Sequence, residues 1–170
     1  MKKLEDLIST YKDFPEKGIN FIDLLGIIQE PEVFKELILK MSESQIIKNS
    51  DAIISIEARG FIFGAAISLQ SSKPMIVARK PGKLPGDIIS QNYSLEYGDN
   101  SLSIQQSALS KYNSYAIVDD LLATGGTVNC VSNLLNSNGK NVLGLLTVVE
   151  LRKLGGRSKF NFPVESSICI

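Results

Sequence analysis

The chain has 170 residues, 44% of them hydrophobic, and carries 18 Lys plus Arg against 18 Asp plus Glu. Balanced charge creates no global field that would draw the molecule onto nucleic acid or an acidic membrane, so an anionic ligand must be held by a local cluster. There is no histidine, which excludes Ser-His-Asp and Cys-His catalysis and every His-ligated metal site, and leaves the chemistry to carboxylates, lysines, arginines, hydroxyls and backbone groups.

The length fits one domain, residues 1–170, with one core. Leu4–Tyr11 reads as a short helix, followed by the turn-rich Pro15-Glu16-Lys17-Gly18. Met1–Leu7 contains no apolar stretch of signal-peptide length, and the runs Phe61–Leu69 and Val142–Val149 are too short to span a bilayer, so a cytoplasmic protein without a membrane partner is expected. Pro31–Ile47 predicts an amphipathic helix with Pro31 in its first turn. Ala52–Ile56 is an apolar, β-branched run and predicts a strand; Gly60–Gln70, with Phe61, Gly64, Ala65 and Ser68 at helical spacing, predicts a helix. Pro74–Ala78 predicts a second strand. Lys80–Ser90 is broken by Pro81, Gly82, Pro85 and Gly86 and reads as a loop, after which Tyr93–Tyr97 alternates like a strand. Tyr115–Val118 predicts a strand that runs into Asp119-Asp120, a glycine pair and a helix over Thr127–Leu135, with Gly139 as its stop. Val142–Val149 predicts a further strand. Cys130 and Cys169 form no CxxC pair and read as reduced thiols packed as small hydrophobes.

Continuous apolar strands alternating with helices predict an α/β fold, its mostly parallel central sheet covered by helices on both faces. In such sheets ligands bind beyond the carboxyl ends of the strands. Three of those ends carry loaded loops: Glu57-Ala58-Arg59-Gly60, Arg79-Lys80-Pro81-Gly82-Lys83, and Asp119 through Thr127.

The last of these is the most informative. Gly125 and Gly126 let backbone amides point at one spot, Thr124 and Thr127 add hydroxyls, and the following helix offers its positive end, which together suit a monophosphate without any lysine. Asp119 and Asp120 stand upstream, where carboxylates can accept hydrogen bonds from the hydroxyls of a sugar and offset positive charge growing on its ring. A bare Thr-Gly-Gly arises by chance as an acidic strand end and a helix cap; the ten-residue string Val118–Thr127 in a strand–loop–helix context is far more specific. It is neither a Walker loop, which ends in Gly-Lys-Ser/Thr, nor a dinucleotide fingerprint.

That string resembles the phosphoribosyl pyrophosphate motif of the type I phosphoribosyltransferases. Ala123 resembles the branch that takes adenine, because relatives acting on 6-oxopurines usually have a proton-moving aspartate there. Asp13-Phe14-Pro15 with Gly18–Asp23 resembles the family's base-binding segment, Ile56–Phe61 its pyrophosphate loop, and Arg79–Pro85 its mobile catalytic loop. Tyr93–Gly98 resembles the strand of its acid–base glutamate, and Val149-Glu150-Leu151 with Gly155-Gly156-Arg157 its C-terminal segment. Two positions depart from the pattern: Ile22 stands where arginine is frequent, and Ser101–Ser110 lacks the usual acidic and histidine residues.

The resemblance implies a type I phosphoribosyltransferase fold with a small N-terminal hood over about residues 1–30. It implies transfer of a phosphoribosyl group from phosphoribosyl pyrophosphate to adenine, with Mg2+ held mainly by substrate and water, in a homodimer. Another purine or orotate phosphoribosyltransferase, or a purine-sensing regulator on the same scaffold, are the alternatives; a regulator of that kind usually carries a DNA-binding module, for which the chain has neither a spare domain nor a basic surplus.

The implied roles stand beside plainer ones. Asp119, Asp120, Ala123, Thr124, Gly125, Gly126 and Thr127 would hold the 5-phosphate and ribose. Glu57, Ala58, Arg59 and Lys80 would serve pyrophosphate, with a non-proline cis peptide implied at Glu57–Ala58; Arg59 alone also reads as a surface ion pair, for instance with Glu57. Arg79 and Lys83 would stabilise the leaving group, though a solvated charge run looks the same. Glu96 would take the adenine proton, or simply face outward on an alternating strand; Tyr97 would sit at the loop's hinge or near pyrophosphate. Phe21 and Leu151 would sandwich the base, although by periodicity both read as core, and main-chain groups at Asn20 and Ile22 would read its edge.

Overall fold

The computed structural model describes residues 3–95 and 98–170. The chain divides into two compact units, Met1–Lys40 and Met41–Ile170.

The first unit opens on a 3-10 turn, Leu4–Leu7, and a hairpin of β1 (Ser9–Lys12) and β2 (Asn20–Asp23), antiparallel with Tyr11 opposite Phe21. The helix expected over Leu4–Tyr11 is therefore corrected to one turn and a strand. The cause lies in Ile8-Ser9-Thr10-Tyr11, which is β-branched or aromatic at three of four positions and favours extended backbone. The connection between the strands is fixed by Gly18, at φ 94°, whose amide donates to Asp13 Oδ1 at 2.7 Å. A short helix α1 (Leu25–Ile28) precedes α2 (Pro31–Ser42), which buries Val33, Leu37, Ile38 and Met41 at helical spacing.

The expected single helix Pro31–Ile47 is two. After α2, Ser44 starts α3 (Gln45–Asn49) by accepting the Ile46 amide on its hydroxyl at 3.1 Å. A serine that satisfies an orphan amide this way makes a new start more favourable than continuation.

The second unit holds β3 (Ala52–Ile56), α4 (Gly60–Ser71), β4 (Met75–Ala78), β5 (Ile88–Leu95), β6 (Gly98–Gln105), α5 (Gln106–Leu109), β7 (Ser114–Leu122), α6 (Gly126–Ser137), β8 (Asn141–Glu150) and β9 (Val164–Cys169). Its central sheet has five strands in the order β4-β3-β7-β8-β9, every pair parallel. All five residues of β3 are buried, as a strand covered on both faces requires. The core joins Ile54, Ile56, Ile76, Tyr115 and Ile117 of the sheet to Val131, Leu134 and Leu135 of α6.

Two glycines let α4 lie close on the sheet. A Cβ on Gly64 would fall 2.3 Å from Ser55 Oγ, and one on Gly60 would fall 2.7 Å from Asp119 Oδ1.

The hairpin of β5 and β6 begins five residues before the strand expected at Tyr93. The expected loop is correspondingly shorter, and both its ends are tied down. Arg79 and Ser103 exchange backbone hydrogen bonds at 2.9 and 2.7 Å, and Ile88 pairs with Gln105. Cys130 is buried, and burial pushes its thiol up to about 11; Cys169 is exposed at the end of β9, which corrects the expectation that both are packed. Among the described residues no helix is long and apolar enough to cross a membrane.

Candidate active site

The site is built at the carboxyl ends of β3, β4 and β7. β7 runs four residues past the strand expected from the sequence, so Asp119 and Asp120 lie within it and are only 8% and 7% exposed. The chain then turns through Ala123, Thr124 and Gly125. Gly125 is at φ 80°, a left-handed conformation that suits glycine. From there α6 starts with no side chain capping it. The amides of Gly126, Thr127 and Val128 belong to a first helical turn, which has no carbonyl partners of its own. The first intrahelical bond, from the Asn129 amide to Gly125 O, comes at 2.9 Å.

Arg59 and the continuous run 119–128 line one pocket of about 210 Å³. That is below the roughly 300–1,000 Å³ of a site enclosing a whole small ligand, so the pocket suits a phosphate and part of a sugar.

Arg59 Nε lies 2.6 Å from Asp120 Oδ2. The ion pair suspected for Arg59 therefore exists, with Asp120 as partner rather than Glu57. The contact is charge to charge, and Asp120 Oδ2 has no aligned hydrogen-bond donor among the described residues. Asp119 Oδ1 accepts the Asp120 amide at 2.9 Å. Burial, and then the adjacent Asp120 charge, hold the Asp119 carboxyl well above the ordinary carboxylate range. Burial also raises Asp120, with Arg59 offsetting part of the effect. Two buried acids in this state become easier to ionise when a ligand brings hydroxyl donors to them.

Glu57 turns the other way. Its Oε2 accepts Arg79 Nε at 3.1 Å and the Lys80 amide at 2.9 Å. Burial pushes this carboxyl up, but the Lys80 amide and the Arg79 guanidinium outweigh it and hold it below its ordinary value. Arg79 also donates to Lys83 O at 3.2 Å and lies over the Phe61 ring at 5.8 Å. Glu57 thus joins the loop after β3 to the basic loop, in which Lys80 and Lys83 are exposed. The Glu57–Ala58 peptide is cis.

Ala123 and Thr124 line the pocket. Leu151, half-buried, follows directly on β8, and its amide donates to Leu122 O at 2.8 Å. Asn20, Phe21 and Ile22 lie on β2 of the first unit; Phe21 meets Phe14 edge to face at 5.2 Å. Glu96 and Tyr97 fall outside the described residues.

The structure adds a feature to which the sequence assigned no role. The segment Gly155-Gly156 packs under the turn: a Cβ on Gly156 would fall 2.3 Å from Ala123 O. Its neighbour Arg157 grips the carboxylate of Glu150, Nε to Oε1 at 2.9 Å. A buried acid at a strand end followed by Gly-Gly-Arg was the available signal.

Among the described residues no three metal-binding side chains gather in one place. The hard oxygens of Asp119 and Asp120, one without an aligned donor, nonetheless fit a magnesium that keeps its waters and takes most of its ligands from a substrate.

Comparison with known proteins places these features in context. The family model of the phosphoribosyl transferase domain matches residues 28–167. An adenine phosphoribosyltransferase of Prochlorococcus marinus (strain MIT 9515) is 76% identical over 166 residues, covering 98% of this chain and 97% of its own. The adenine phosphoribosyltransferase of Saccharomyces cerevisiae, solved in complex with D-2,5-dideoxy-2,5-imino-altritol 1,6-bisphosphate and adenine, matches with a TM-score of 0.86 at 35% identity, over 96% of this chain and 95% of that one. The APRTase of Giardia lamblia, solved with 9-deazaadenine, matches with a TM-score of 0.90 at 30% identity, over 98% and 96% of the two chains.

Proposed function

The chain belongs to the phosphoribosyl transferase domain family, and from that membership we propose its reaction: adenine and 5-phosphoribosyl 1-pyrophosphate give AMP and pyrophosphate, a step of purine salvage. The observation that carries the reading is the pocket formed by Arg59 and residues 119–128, in which an uncapped helix start and two buried acids line one cavity. Ala123 and the full-length relatives that act on adenine support the choice of base.

In this reading the amides around Gly125–Thr127 and the hydroxyls of Thr124 and Thr127 hold the 5-phosphate. Asp119 and Asp120 accept the ribose hydroxyls, which take over from Arg59, and they offset the positive charge of the oxocarbenium-like ring as pyrophosphate leaves. The Ala58 amide and Arg59 bind the departing pyrophosphate. Arg79, Lys80 and Lys83 close over it, with Glu57 orienting Arg79, and so exclude the water that would hydrolyse the donor. Magnesium, when bound to donor oxygens, supplies further neutralisation of the leaving group's charge. Adenine attacks the anomeric carbon from the opposite face with inversion, and Glu96 accepts the proton lost from its imidazole ring. Tyr97 serves either the hinge of the loop or the pyrophosphate. Phe21 and Leu151 pack on the base, and main-chain groups of Asn20 and Ile22 read its edge. About residues 1–30 then act as a base-binding hood of one functional domain. A homodimeric, cytoplasmic enzyme belongs to the same proposal, with light scattering as the test of the dimer.

The experiment is a base panel with released pyrophosphate and AMP as readouts. Adenine is expected to be turned over at least about a hundredfold faster than hypoxanthine, guanine or orotate, the scale on which unpaired polar groups reject the wrong ligand. Equal rates with adenine and hypoxanthine would contradict the role given to Ala123.

A further inference from the structure

Resting on the reading just proposed, we infer that the Glu150–Arg157 ion pair is a positioning device for the phosphate-binding turn, holding Gly155-Gly156 against Ala123–Gly125 so that the turn keeps the spacing a monophosphate needs. Neither side chain lines the pocket. Their effect passes through contacts that only glycine permits.

Glu150 ends β8 and is 3% exposed. It pairs in register with Leu122, the last residue of β7 before the turn. Its carboxylate accepts from Arg157 in fork geometry, with Nε on Oε1 at 2.9 Å, and from Ser166 Oγ on Oε2 at 3.1 Å. Arg157 extends the tie by donating to Val164 O at 2.6 Å. One guanidinium therefore links the end of β8, the start of β9 and the 3-10 turn Gly156–Lys159.

That turn is the floor beneath the phosphate-binding segment. Besides its contact with Ala123 O, a Cβ on Gly156 would stand 3.0 Å from the Gly125 amide nitrogen. In the reverse direction, a Cβ on Gly125 would meet Phe160 Cζ at 2.9 Å and Gly156 O at 3.0 Å. With no side chain between the two segments, a shift of Gly156 has nothing to absorb it and moves the amides that face the phosphate. Arg157 holds Glu150 below the ordinary carboxylate range, and removal of either partner leaves the other without its counter-charge.

The test measures affinity for two halves of the donor separately. Arg157→Lys keeps the charge but loses the fork, and Glu150→Gln keeps the shape but loses the charge. Both are expected to weaken ribose 5-phosphate by about tenfold or more while pyrophosphate affinity stays within about twofold, measured by calorimetry below each variant's melting temperature. Arg157→Lys is expected to raise KM for phosphoribosyl pyrophosphate more than it lowers kcat. A purely structural pair would lower the melting temperature and leave ribose 5-phosphate affinity unchanged, or weaken both ligands alike; either result overturns the inference. Wild-type protein that binds neither ligand would instead sink the proposed function.

Discussion

Burial pushes the Asp119 carboxyl up, the Asp120 charge beside it pushes further, and the hydrogen bond from the Asp120 amide offsets only part of this. An acid held this way costs the ligand-free molecule stability at neutral pH, and is retained for what it does to a ligand. Asp119→Asn is therefore expected to lower turnover by orders of magnitude while the melting temperature holds or rises, by about 2–4 °C for each kcal/mol recovered. A calorimetric scan beside the AMP assay checks it; near-normal turnover would remove Asp119 from the chemistry. At this scale the sequence was informative about which residues gather and less so about how they pair. Arg59, Asp119, Asp120 and Thr124 were legible because strand, acids, glycines and helix are contiguous or recur at strand ends. That Arg59 reaches Asp120 while Glu57 takes Arg79 depends on side-chain directions across different strands, which spacing along a chain does not encode. Glu150 and Arg157 stood in quoted motifs without a role, since their effect runs through backbone contacts at Gly156.

The elements that position the site are the buried ones, and these were the easiest to read. The five buried residues of β3 and the glycine-spaced face of α4 match the expectation within a residue at each end. The peripheral elements were harder. The sequence between β5 and β6 carries no Asn-Gly or Asp-Gly signal, and β9 carries polar Glu165, Ser166 and Ser167 on an edge. The packing of α4 yields a direct prediction. A Cβ on Gly64 would fall 2.3 Å from Ser55 Oγ and 3.4 Å from Met75 Sδ. Gly64→Ala forces a methyl into that contact and is expected to destabilise by about 1–3 kcal/mol, read from urea unfolding. An unchanged midpoint would mean that α4 lies farther from the sheet than described.

For the molecule as a whole, charge balance at neutral pH conceals two opposed sets of carboxylates. Glu57 and Glu150 have folded pKa values below the unfolded 4.5, so their contribution to stability is complete above that value and is lost as pH falls through the lowered ones. Asp119 and Asp120 have folded values above the unfolded 3.8, so their contribution is complete below 3.8 and is lost as pH rises through the raised ones. The ligand-free protein should thus lose stability on the acid side below 4.5. From 3.8 upward it should also lose stability relative to Asp119→Asn, a gap that widens until the raised values are passed. Melting temperatures of the two proteins across that range check both limbs; parallel curves would contradict the burial of Asp119. The central sheet was legible at this scale because period and length separate its strands from its helices. The division at Lys40 was not, because α2 runs across it without a break in composition.

The whole account rests on what the turn after β7 holds. A crystal structure with AMP tests this most directly. The expected result is the 5-phosphate within hydrogen-bonding distance of the amides from Gly125 to Thr127, with both ribose hydroxyls on Asp119 and Asp120 and Arg59 released from Asp120. A nucleotide bound elsewhere, with that turn unchanged and Arg59 still paired, would contradict it.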